Sequence, residues 1–144
     1  MRLPNSNALF NSLGVVFALI GGFSLLSVLY AYYLAHVFLA GAAAYAAMDF
    51  LIAYAFFSRE QWLLWALALN LSAYTLLVLY VGLLRPDASL AMRLFGFVLN
   101  AAVFFVVYRE RAELKPSHLA WTTGVPFFLV WAYGISYTVF RSFY

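Results

Sequence analysis

Thirteen side chains in this sequence are formally charged, eight Lys or Arg and five Asp or Glu. All but one fall at chain ends, in short polar segments or beside the ends of apolar runs. The exception is Asp49, inside a run from Asn7 to Ser58 whose other ionisable side chains are His36 and several tyrosines. An ionised carboxylate in the middle of an apolar helix costs about 2.5–3.5 kcal/mol on insertion scales. Asp49 is therefore expected to be neutralised by a proton, hydrogen-bonded, or open to a water-filled cavity. No Lys or Arg is expected at its depth.

Uncharged polar residues offer it company. At about 1.5 Å per helical residue, Asp49 and Asn100 each fall about 18 Å from one face of an apolar core about 30 Å thick. Counted from the opposite face, Asn70 reaches much the same level, and Ser24 lies within a turn of it. Ser24, Asp49, Asn70 and Asn100 are thus expected to form one polar midplane layer drawn from four helices. Such a layer suits a proton relay or a polar binding site. Its alternative is a hydrogen-bonded clasp that fixes helix register or meets another subunit.

Other chemistries find little support. Two imidazoles can ligate one haem iron, but His36 and His118 fall at opposite ends of their apolar runs, so no shared metal is expected. The chain has no Cys, which excludes disulfides, thiol catalysis, thiolate zinc and iron–sulfur clusters. No Walker, GxGxxG, HExxH, GxSxG or EF-hand pattern occurs. No catalytic residue, metal or cofactor is expected, apart from bound lipid.

The elements that position these residues follow from composition. Hydrophobic residues make up 67% of the chain and charged ones 9%, with mean hydropathy +0.94, whereas soluble domains carry roughly 25% charged residues. Lipid is the expected solvent. The expected fold is all-α: a single domain over 1–144, a polytopic integral membrane bundle of five transmembrane helices at about 9–33, 37–57, 61–84, 88–108 and 119–140. The first two share an apolar run about twice the length of one span, so the chain is expected to turn at Tyr32–His36. Without that turn the count falls to four. Arg85-Pro86-Asp87 ends the third span; Arg93 in the fourth is expected to snorkel to the interface; Pro126 is expected to bend the last. Arg2 precedes an apolar run far longer than the 7–15 residues of a signal h-region, so this run is expected to be a retained span.

With five spans, Arg2, Arg59, Arg109, Arg111 and Lys115 share one side and Arg85, Arg93 and Arg141 the other. The richer side is expected to be cytoplasmic, placing the N-terminus there in the cell membrane. The net charge of +3 is scattered over these ends and loops, so nucleic acid is not an expected partner. Trp62, Trp65, Trp121, Tyr54 and Tyr108 read as one interfacial belt, and Tyr30, Tyr32, Tyr33, Tyr80 and Tyr137 as the other. Gly14, Gly21, Gly22 and Gly41, with neighbouring alanines, permit close helix approach, within a hairpin or against a partner subunit. The mixed charges from Arg109 to Lys115 read as a solvated helical extension, with binding of anionic lipid or a soluble partner as the lesser possibility.

No internal repeat of the kind common in secondary transporters is visible. The expected function is that of a non-catalytic subunit of a larger membrane complex, respiratory or otherwise energy-converting, that packs against other membrane subunits and holds lipid. The alternative is a small oligomeric transporter, channel or proton-coupled carrier built around Asp49.

Overall fold

Four runs that contain no proline, and no internal charge except Asp49 and Arg93, become the long helices among the described residues. A computed structural model describes residues 6–36, 40–84 and 90–117, together with 126, 129 and 132–134. Within them α1 spans Ser6–Ala35, α2 Ala40–Ser58, α3 Trp62–Leu84 and α4 Leu90–Arg109, followed by a 3₁₀ turn at Arg111–Glu113. All regular structure among the described residues is helical. The fifth expected helix lies largely outside them, but Pro126, Leu129 and Ala132–Gly134 are helical. A Cβ added at Gly134 would lie 3.5 Å from that of Ala44, so Gly134 rests against α2.

None of the helices concentrates its apolar residues on one stripe. A helix apolar all round belongs in a large core or in lipid. The 30 residues of α1 extend about 45 Å, and it is the one helix among the described residues long and apolar enough to cross a membrane. Shorter apolar stretches occupy Ala42–Ser58, Trp62–Leu76 and Leu94–Arg109.

Two of the helices stop in the same way. His36 and Arg59 adopt left-handed backbone, with φ of 51° and 54°. His36 N–H donates to Tyr32 O at 3.0 Å and Arg59 N–H to Ala55 O at 2.9 Å. A left-handed residue after the last turn satisfies a terminal carbonyl while turning the chain away. The chain thus leaves α1 within the Tyr32–His36 segment expected to turn.

The run after α4 departs from expectation. It is no solvated helical extension: the chain tightens into the 3₁₀ turn, and Leu114 is buried in extended backbone. Lys115 N–H donates to Arg59 O at 2.7 Å and Gln61 N–H donates to Lys115 O at 3.0 Å, an isolated parallel bridge between Glu60 and Lys115. Pro116 explains the change, because the residue before proline is driven from helical to extended backbone.

Helices α1 and α2 form one closely packed hairpin and α3 and α4 a second, with lighter contact between α2 and α3. The core gathers toward the end of the bundle that carries this bridge. Phe10 and Phe17 from α1, Ile52 and Phe56 from α2, Leu63 and Leu67 from α3, Val107 from α4 and Leu114 meet there. Phe56 is central, its ring centroid 6.2 Å from that of Phe10 and 5.5 Å from that of Phe17.

Candidate functional site

The polar candidates singled out from the sequence are positioned by two helix seams. In α1 the buried residues are Phe10, Gly14, Phe17, Gly21 and Val28, a spacing of four and three that keeps one line of residues facing a partner helix. Half-buried Ser24 occupies the next position of that line. Its partner is α2. A Cβ on Gly14 would come within 3.0 Å of the Phe57 ring and 3.1 Å of Phe56 Cβ, and one on Gly21 within 3.2 Å of both Ala46 O and Asp49 Cβ. Gly21 is thus where α1 gives way so that Asp49 can approach. Gly22 lies off the seam, with nothing within 4 Å of an added Cβ. Gly41 sits in the first turn of α2, and its surroundings lie outside the described residues.

The second seam joins α3 to α4. Asn70, only 4% exposed, donates from Nδ2 to Asn100 Oδ1 at 2.8 Å, and Asn100 donates from Nδ2 to Gly96 O at 2.9 Å. Gly96 also makes room for Tyr74, whose ring would lie 3.0 Å from an added Cβ. Asn70 thus bonds across the α3–α4 seam, while Asn100 bonds back to its own helix.

The four residues of the expected layer therefore fall into two groups, Ser24 and Asp49 along the α1–α2 seam and Asn70 with Asn100 across the α3–α4 seam. Among the described residues no hydrogen bond joins Asp49 to Ser24, Asn70 or Asn100. This separates their chemistry. Amides hold helices together or bind a polar ligand, but they do not take up or release a net proton near neutral pH. Of the four, Asp49 is the group able to carry one.

A further polar cluster lies where the two hairpins are latched. Arg59 Nη1 donates to Asn7 Oδ1, and its guanidinium stands 5.9 Å from the Phe10 ring centroid. Glu60 Oε2 accepts from Trp62 Nε1 and from Ser117 Oγ, each at 2.8 Å. Glu110 is 4% exposed, with Arg109 Nε 3.8 Å from its Oε1. Arg111 is stacked over Tyr108 at 4.5 Å.

Sequence reasoning passed over Glu60, and the signal that could have found it is an acid placed just before a helix start, where backbone N–H groups favour negative charge. Its bond to Ser117 spans 57 positions and leaves no local trace. Trp62, expected as a belt residue, is buried and bonded to Glu60, whereas Trp65 is 75% exposed. His36 is exposed at the far end of α1; His118 lies outside the described residues. No group of three or more metal-ligating side chains occurs among the described residues.

No known protein family, characterised protein or solved structure matches this chain. Its function has to be read from these contacts.

Proposed function

We propose that this chain is a polytopic membrane protein of five transmembrane helices. It lies in the cell membrane with the N-terminus cytoplasmic, and acts as a non-catalytic subunit packed against other subunits of a larger membrane complex. Support for the membrane setting comes from the all-round apolar helices and from exposed side chains such as Phe23, Leu26 and Tyr33 on α1, since a water-soluble monomer rarely leaves a large contiguous apolar surface uncovered. The observation that carries the subunit reading is the Asn70–Asn100 bond. It joins two helices and is continued to a backbone carbonyl, as a clasp would be.

The proposed partner class is the catalytic membrane subunit of an energy-converting assembly, respiratory or other. Native mass spectrometry of gently extracted membranes tests this. The chain is expected in a complex with other membrane subunits and with bound lipid; recovery as a partner-free monomer with an activity of its own would overturn the reading.

Asp49 favours a second reading, a small oligomeric transporter, channel or proton-coupled carrier. Its carboxyl has no hydrogen bond among the described residues, and it approaches α1 at a glycine. Ion flux in proteoliposomes, compared between the wild type and Asp49→Asn, tests it. Flux lost in a folded Asp49→Asn variant supports the carrier, and no flux of any ion through the wild type removes it.

A further inference from the structure

Beside the latch, the start of α3 and the end of α4 border an open groove of about 510 Å³, lined by Gln61, Leu64, Trp65 and Ala68 on one side and by Phe104, Tyr108 and Arg111 on the other. Its lining is graded. Counted along the two helices, Gln61, Tyr108 and Arg111 lie at the latch end, Leu64 and Trp65 follow, and Ala68 and Phe104 lie farthest from it. From Gln61 to Ala68 is two turns of helix, about 10 Å. That matches the upper part of an acyl chain beneath its headgroup better than a partner helix crossing about 30 Å.

The latch end selects for charge. Arg111 is exposed and is oriented by its cation–π contact with Tyr108. No carboxylate pairs with it among the described residues. Arg59 and Lys115 lie in the same latch region; of the carboxylates there, Glu60 is occupied by Trp62 and Ser117, Glu110 is buried beside Arg109 and Glu113 is engaged elsewhere than with Arg111.

We propose that this groove binds one anionic phospholipid, with its phosphate on Arg111 and Gln61 and its acyl chain against Trp65, Ala68 and Phe104. The proposal rests on the membrane reading and names the lipid class that the subunit would hold.

Trp65 makes the site observable. The full chain is reconstituted in phosphatidylcholine vesicles containing a minor fraction of brominated lipid, either phosphatidylglycerol or phosphatidylcholine. Quenching of Trp65 is isolated by difference from Trp65→Phe. Brominated phosphatidylglycerol is expected to quench more strongly at equal mole fraction. Arg111→Gln is expected to lower that preference about five-fold, the contribution of one basic residue near an anionic lipid surface, and Arg111→Lys to restore most of it. Arg85→Gln, a change in the segment that follows the other end of α3, is expected to leave it unchanged.

Equal quenching by the two lipids overturns the lipid proposal and leaves the membrane reading standing. An equal loss of preference in Arg85→Gln overturns it in favour of general charge attraction. Abolition of the preference by millimolar inorganic phosphate overturns it in favour of a soluble phosphate site. No quenching by either lipid overturns the membrane reading as well.

Discussion

Replacing Gly21 by Leu tests the α1–α2 seam, because Gly22 beside it supplies its own control. Both glycines lie in the same stretch of α1, so the gain in helix propensity, about 0.8–1.0 kcal/mol for losing a glycine, is common to the two substitutions and cancels in their difference. What remains is packing. A Cβ at position 21 already meets Ala46 O and Asp49 Cβ at 3.2 Å and the Phe50 ring at 3.4 Å. The first of these is backbone, which cannot rotate aside, so the additional carbons of Leu have to push α2 away. Overpacking a closed interface costs about 1–3 kcal/mol, whereas position 22 has nothing within 4 Å to disturb. Gly21→Leu is therefore expected to be less stable than Gly22→Leu by about 1–3 kcal/mol. Equilibrium unfolding in detergent micelles, followed by circular dichroism and tryptophan emission, measures the difference. Equal stability of the two variants would refute the seam.

Three further outcomes are expected. In a double-mutant cycle, Asn70→Leu and Asn100→Leu should show a coupling of about 0.6 kcal/mol, reaching at most about 1.7, the range for hydrogen bonds between helices in lipid; zero coupling removes the clasp. Glu60→Ala deprives Trp62 and Ser117 of a charged acceptor, so it should cost about 2 kcal/mol and red-shift the Trp62 emission, and an unchanged spectrum and unfolding midpoint would count against the latch. Because the chain has no Cys, single cysteines can report sidedness. Gln61→Cys and Ala112→Cys should react with an impermeant maleimide from one side of the membrane and Asp87→Cys from the other, and labelling of all three from the same side would sink the polytopic reading.

Depth along each helix was legible in the sequence, whereas direction around each helix was not. Counting residues from the ends of apolar runs put Asn70 and Asn100 level with each other, and the two are bonded. The same count assigned Asp49 a height but gave no facing, which is toward Gly21. The reason is physical. A helix with an apolar stripe announces which side it buries, but these helices are apolar all round, and nothing local distinguishes Gly21, which is packed, from Gly22, which is not. The turn near His36 was legible because an apolar run about twice the length of one span is expected to fold back on itself. The latch was hidden because its parts lie far apart in sequence and two of its bonds are between backbone groups. Pro116 was the local hint that the charged run could not remain helical.

The latch also sets an order of assembly. Each hairpin is local in sequence, so α1 can pair with α2 once Ser58 has left the ribosome, and α3 with α4 once Arg109 has. Glu60, Gln61 and the carbonyl of Arg59 have to wait for Lys115 and Ser117 before their bonds to those residues can form. Until then the start of α3 is held to nothing downstream of α4. Contacts that close such long loops form late in folding. A chain truncated shortly before Leu114 and released would carry both hairpins paired yet unlocked, and a few more residues would join the two hairpins into one body.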